Sequence, residues 1–140
     1  MTVEELKGKI REVPDFPVKG VSFKDITTLL REGRAFREAL EGLARLVEGR
    51  EIDVGAAPEA RGFVVAAPLA YRLGVGFVPV RKPGKLPWQS IRGEYELEYG
   101  KGMLEAHVDA VEPGQRVLVA DDVLATGGTV ATTVELVERL

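Results

Sequence analysis

Cysteine is absent from the 140 residues, which excludes disulfides, thiolate catalysis and cysteine-ligated metals. A single histidine, His107, leaves no histidine-rich metal site within one chain. No apolar run approaches the length of a bilayer span. The N-terminus carries Glu4 and Glu5 with no apolar stretch, so it does not read as a secretory signal. Asparagine is missing and glutamine occurs only at Gln89 and Gln115, a bias of heat-adapted proteins that carries no functional information. These absences point to a cytoplasmic protein with no membrane partner.

What is present is ordinary for a globular chain. Hydrophobic residues make up 45% and charged residues 29%, and the length suits a single domain, 1–140, able to bury roughly two-thirds of its unfolded surface. The charge is unevenly spread. Net charge is −3, yet from Ala60 to Gly93 there is no acid, while Arg61, Arg72, Arg81, Lys82, Lys85 and Arg92 contribute +6. An acid-free stretch in an acidic chain points to an anionic ligand. Nucleic acid is disfavoured, because too few aromatics accompany these bases to stack a strand. A polyphosphate fits better.

The most informative stretch runs from Val117 to Thr129. Val117 to Ala120 reads as a buried strand, followed by two acids, Asp121 and Asp122. A turn of small residues then leads into a helix from Val130 to Leu140. Just past a strand's carboxyl end is where open α/β sheets bind ligands. Gly127 and Gly128 let main-chain N–H groups approach an anion closely, and the following helix offers its positive end. Thr126 and Thr129 add hydroxyls, and Thr129 is also placed to cap the helix. Gly-Lys-[Ser/Thr] is missing, so this is not a Walker A loop. Asp121 and Asp122 suit a pair of ribose hydroxyls better than a phosphate.

This run resembles the phosphoribosyl-pyrophosphate (PRPP) motif of the type I phosphoribosyltransferases: an apolar strand, two acids, then Thr-Gly-Gly-Thr. The resemblance implies that Asp121 and Asp122 hold the ribose 2′- and 3′-hydroxyls. It also implies that Ala125, Thr126, Gly127, Gly128 and Thr129 hold the 5′-phosphate.

Taken from the start, Thr2 and Glu5 form a capping box, and Val3, Leu6, Ile10 and Val13 follow at helical spacing until Pro14. Pro14 to Asp25 reads as irregular, with Phe16 and Phe23 suited either to cover a ligand or to anchor a loop. With Pro14-Asp15-Phe16-Pro17 followed by Gly20, Phe23, Lys24 and Asp25, it resembles the N-terminal hood of the adenine branch of the family, so 1–33 is expected to hold the N-terminal helix and hood and 34–140 the core. That likeness implies that Phe23 stacks on the base while Ser22 and Lys24 read its edge. Lys19 departs from the proline common there.

Arg34 to Glu48 is an amphipathic helix, packed on a sheet, with Phe36, Leu40, Leu43 and Val47 on one face. Ile52 to Ala57 reads as a strand, and a helix follows from about Phe63 to Leu73. The turn between them resembles the family's pyrophosphate turn, often with a cis peptide, which implies roles for Glu59, Ala60 and Arg61. Pro58 is a less usual neighbour. A cation at Arg61 opposes the helix dipole, which favours a ligand role over a solvated one.

Val75 to Val80 is a third strand. The loop Arg81 to Pro87 reads either as a solvated basic turn or, on the resemblance, as the pyrophosphate loop acting partly across a dimer interface. Arg81 and Lys85 match best, with Lys82 in support. Tyr95, Leu97 and Tyr99 alternate with Glu94, Glu96 and Glu98. Gly100 to Gly102 reads as a turn, and Leu104, Ala106 and Val108 alternate again, a β-flap within a flexible region of about 82–108. Periodicity makes Glu98 one of three solvated acids, whereas Leu97-Glu98-Tyr99-Gly100 resembles the family's mobile loop. There the Glu handles the proton and the Tyr closes the site. His107 reads as a polar surface position.

The expected fold is α/β, a parallel sheet flanked by helices, with an N-terminal hood and a β-flap. The resemblance implies transfer of the phosphoribosyl group from PRPP to adenine, giving AMP and pyrophosphate. Mg²⁺ would be held mainly by PRPP, pyrophosphate and water rather than by protein ligands, and a homodimer is expected. Phosphoribosyl transfer to another purine, or PRPP sensing without turnover, stays open. The family pattern continues past Leu140 into a further strand and a C-terminal tail. On that comparison these residues carry a complete PRPP site, lack one wall of the base pocket, and are expected to turn adenine over poorly.

Overall fold

In a computed structural model, all residues are described except Glu98, Tyr99 and Thr126, together with the side chain of Leu97. The chain forms two compact units, Met1–Glu48 and Gly49–Leu140.

In the first unit, α1 (Val3–Lys7) opens on the expected capping box. The Glu5 amide donates to Thr2 Oγ1 at 3.1 Å, and the Thr2 amide donates to Glu5 Oε2 at 2.6 Å. The helix is shorter than its periodicity implied and stops at Gly8. Arg11–Val13 is instead a strand, β1, paired antiparallel with β2 (Phe23–Asp25). Ile10 and Val13 satisfy a helical spacing, but pairing with a distant strand satisfies the backbone of Arg11 to Val13 equally well. It also corrects the reading of Phe23 to Asp25 as irregular. Arg11 and Thr27 bind the Asp25 carboxylate. The backbone N–H and hydroxyl of Thr27 are the main reason it is held down to about 2. Helices α2 (Thr27–Leu30) and α3 (Gly33–Leu46) complete the unit and pack on each other.

The second unit is built on a three-stranded parallel sheet, β3 (Val54–Pro58), β4 (Gly76–Val80) and β7 (Val117–Val119), in the order β4-β3-β7. Central β3 is buried at all five positions, so both of its faces are covered. Helices α4 (Arg61–Leu73) and α5 (Gly128–Arg139) pack on it. Its residues are small because the helices come close. A Cβ on Gly55 would sit 3.4 Å from Ala70 Cβ. Gly74 ends α4 in the left-handed conformation that glycine adopts freely. Strand β7 is half-buried rather than buried, since β3 pairs with it on one side only among the described strands.

The β-flap is an antiparallel pair, β5 (Ser90–Leu97) and β6 (Gly100–His107). Gly100 to Gly102 belong to β6, not to a turn, because Leu97 pairs directly with Gly100. Gly102 leaves room for the Tyr95 ring, whose Cζ would lie 2.2 Å from an added Cβ. The flap is anchored in the core: Val80, Leu104, Ala106 and Leu136 form a buried cluster, with Tyr95 and Ile91 against it.

Gly93 marks the tightest approach of flap and helix. A Cβ there would lie 2.8 Å from Thr132 Cγ2 and 3.3 Å from Leu136 Cγ. Thr132 is β-branched within a helix and cannot easily turn aside. Gly93→Ala is therefore expected to lower stability by ~1–3 kcal/mol, as overpacking does. Thr132→Ser, which removes that methyl, should restore part of the loss in a double variant. Urea unfolding measures both, and additive effects would show that the two residues are not in conflict.

Candidate active site

The carboxyl ends of β3, β4 and β7 and the start of α5 converge on a cleft of about 420 Å³. Its lining includes the residues expected at the two strand-to-helix turns: Glu59, Ala60 and Arg61 from one, Asp121, Asp122, Ala125, Gly127 and Thr129 from the other. Lys82 enters from the basic loop. Thr126 lies outside the described residues, as do Glu98 and Tyr99 of the flap loop.

The two acids are differently placed. Asp122 is 5% exposed, with its Oδ2 3.0 Å from Arg61 Nε. That oxygen is buried without an aligned hydrogen-bond donor, so the contact is an ion pair. It answers the problem of a cation at a helix start: Arg61 opposes the α4 dipole but gains a buried carboxylate. Asp121 accepts the Asp122 amide at 2.8 Å. Burial, and then the neighbouring Asp122 carboxylate, push its pKa up to about 6, with the Asp122 N–H and Arg61 opposing. Space for it comes from Gly62, where a Cβ would stand 2.9 Å from Asp121 Oδ1.

At the Gly127-Gly128 turn, Gly127 adopts φ 87° and is the N-cap of α5. Thr129 is inside the helix rather than its cap, and no side chain caps it. Instead the Thr133 hydroxyl donates to the Thr129 carbonyl at 2.7 Å. The N-cap is a glycine and supplies no side-chain cap of its own, and a helix start is where main-chain donors favour an anion.

The Glu59–Ala60 peptide is cis, a point that the residue order left open. The Glu59 carboxylate turns to the basic loop. It accepts from the Lys82 N–H at 2.8 Å and from Arg81 Nε at 3.2 Å. Burial works against its charge, but these donors hold the pKa below the usual value. Arg81 thus pairs with Glu59, and neither Arg81 nor Lys85 lines the cleft; Lys82, expected only in support, does. Sequence reasoning passed over Tyr95 and Leu104, which line the cleft from the flap. For Tyr95 the available signal was its alternation with the exposed Glu94 and Glu96, and for Leu104 its alternation with Ala106, each marking an inward face.

In the N-terminal unit, Phe23 meets Phe16 edge-on with ring centres 5.2 Å apart, and Lys24 pairs with Glu12. Ser22 is exposed on the loop before β2.

A family model described as the phosphoribosyl transferase domain matches residues 22–140. An adenine phosphoribosyltransferase of Thermoanaerobacter sp. (strain X514) is 62% identical over 140 residues, covering 100% of this chain and 81% of that protein. The crystal structure of adenine phosphoribosyltransferase from Thermoanaerobacter pseudethanolicus matches with a TM-score of 0.97 at 62% identity, over 99% of this chain and 81% of that one. The Saccharomyces cerevisiae enzyme, crystallised with adenine and an imino-altritol bisphosphate, matches with a TM-score of 0.92 at 39% identity. That match covers 98% of this chain and 80% of the yeast chain.

A raised Asp121 pKa has a defined consequence. Unfolded aspartate titrates near ~3.9, so between about 4 and 6 the folded state binds more protons than the unfolded one. Stability contributed by the protonated form is present below that window and is lost as pH rises through it. Asp121→Asn removes the ionisation. The variant should gain thermal stability relative to the wild type at pH 7, with the difference shrinking toward pH 4. Parallel melting curves across that range would show that Asp121 is not strained.

Proposed function

The chain belongs to the adenine phosphoribosyltransferase family, and we propose that it carries out that family's reaction with the residues of the cleft described above. It is an enzyme of purine salvage that transfers the 5-phosphoribosyl group of PRPP to adenine, releasing AMP and pyrophosphate. The observation that carries the site assignment is the Asp121-Asp122 pair, with Asp122 held by Arg61, lining one cleft with the start of α5. It supplies acceptors for a diol beside donors for a phosphate.

In this reading the 5′-phosphate lies against the main-chain N–H groups of Gly127, Gly128 and Thr129, flanked by Ala125 and Thr126. Asp121 and Asp122 accept hydrogen bonds from the 2′- and 3′-hydroxyls. Arg61, Lys82, Lys85 and Arg81, with the backbone at Glu59 and Ala60, receive the pyrophosphate. The bond from the ribose anomeric carbon to pyrophosphate breaks as that carbon bonds to N9 of adenine. These cations stabilise the charge that leaves with pyrophosphate. Glu98 takes the N9 proton and Tyr99 closes the site. Ser22, Phe23 and Lys24 recognise the base, in keeping with the adenine bound to the yeast relative.

Among the described residues no group of three or more His, Asp or Glu stands together to hold a metal ion. Magnesium would be held mainly by PRPP, pyrophosphate and water, while Asp121 and Asp122 hold the ribose hydroxyls. It would neutralise charge on the pyrophosphate. We further assign the active form to a cytoplasmic homodimer. Val64 and Tyr71, two turns apart on α4 and 40% and 89% exposed, offer an apolar stripe for a partner. Among the described residues no helix is long and apolar enough to cross a membrane.

AMP formation from PRPP and a panel of purines tests the assignment. Adenine should be the preferred substrate, and turnover of hypoxanthine or guanine at a comparable rate would move the protein to another branch. Phe23→Ala should raise the KM for adenine far more than that for PRPP, costing ~1–3 kcal/mol by analogy with base–aromatic stacking. Equal effects on both substrates would reduce Phe23 to a packing partner of Phe16. Glu98→Gln should lower kcat with little change in substrate binding, whereas Glu96→Gln should leave both nearly unchanged. Similar behaviour of the two variants would make Glu98 a solvated acid like its neighbours.

A further inference from the structure

A carboxylate beside an anion-binding loop weakens the binding by repulsion unless it does something else there. Glu105, on β6, is such a group. It exchanges both main-chain hydrogen bonds with Arg81, at 2.9 and 2.6 Å, which sets its side chain next to the basic loop. Its Oε1 accepts the Gly84 N–H at 3.0 Å. Its Oε2 accepts from Arg92 Nη2 at 3.1 Å and Nε at 3.3 Å. The carboxylate is only 13% exposed, a burial that is costly unless such donors surround it.

The partners are themselves fixed. Arg92 is the cross-strand partner of Glu105, and its carbonyl accepts from Arg139 Nη1 of α5 at 2.7 Å. Gly84 has φ +81°, a conformation that leaves its N–H, rather than a side chain, to locate the turn. The Lys85 N–H closes the same turn on the Lys82 carbonyl at 3.3 Å. Glu59 grips the near end of the loop through the Lys82 N–H, and Glu105 grips its far end through Gly84.

We infer that Glu105 is a positioning residue for pyrophosphate binding: it fixes the Lys82–Lys85 turn to the flap so that the two lysines present their charges in one place. The inference rests on the reading that this loop receives pyrophosphate. Glu105 touches no substrate in it; its two oxygens are committed to Gly84 and Arg92.

Calorimetric affinities for pyrophosphate and for ribose 5-phosphate separate positioning from general stability, because only the first ligand needs the loop. Glu105→Ala should weaken pyrophosphate roughly tenfold, the loss expected with a charge-assisted positioning hydrogen bond. Ribose 5-phosphate should bind unchanged. Glu105→Gln, which keeps an acceptor for Gly84, should recover most of the affinity, and it supplies the measurement if the alanine variant does not fold. Equal weakening of both ligands would overturn the inference by showing a purely structural role, as would unchanged pyrophosphate binding in both variants. Lys82→Ala and Lys85→Ala test the premise. If they weaken pyrophosphate while Glu105→Ala does not, only the role of Glu105 fails. If neither does, the loop is not the pyrophosphate site and both readings fall.

Discussion

Two carboxylates side by side at the end of one strand are the constraint on which the rest of the cleft depends. Like charges in a half-buried site raise each other's cost, and the fold answers in three ways. The first residue of α4 supplies the Arg61 guanidinium to Asp122. The backbone N–H of Asp122 supplies a donor to Asp121. Gly62, lacking a side chain, leaves the space that Asp121 Oδ1 occupies. The parallel pairing of β3 with β7 brings these elements together, since it sets the turn after one strand beside the turn after the other. Asp121 remains strained, with a pKa well above that of a free aspartate. Such strain is expected where a site is organised for a ligand that will later supply the missing donors.

The basic loop beside the cleft obeys the same logic with signs reversed. Arg81, Lys82 and Lys85 would repel one another in a freely moving loop. Instead the loop lies between Glu59 and Glu105, each using main-chain N–H groups of the loop as well as arginines. Acids thus organise bases without cancelling them, because a carboxylate engaged by a backbone donor and a neighbouring arginine has little left to offer a lysine. The arrangement also joins the sheet, the loop and the flap through one short chain of contacts.

Much of this was legible in the residue order. The turn before α5 and its two acids could be read because their setting is local: a glycine pair, a strand before it and a helix after it determine where the backbone N–H groups point. Helix α4 and strand β4 were readable for a similar reason, since burial imposes a period on contiguous residues. The acid-free stretch from Ala60 to Gly93 gathered bases along the chain without showing which of the loop's would line the cleft. Lys82 does, while Arg81 turns aside to Glu59.

The remainder was decided by pairings between distant residues, on which local periodicity is silent. Arg11 to Val13 fit a helical spacing, yet they are a strand because Phe23 to Asp25 offer a hydrogen-bonding edge. Gly100 to Gly102 look like a turn, but the flap's register places them opposite Leu97, Glu96 and Tyr95. Glu94 and Glu105 are indistinguishable as acids on alternating strands. Register opposite Arg92 and the bridge to Arg81 turn Glu105 toward the basic loop, whereas Glu94 pairs with Lys101 at the surface, 3.6 Å away. The sequence by itself determined the chemical inventory and the local turns, because those depend on neighbours along the chain. Only the tertiary structure decided which acid meets which base, because that depends on strand register, where a shift of one residue turns every side chain to the opposite face.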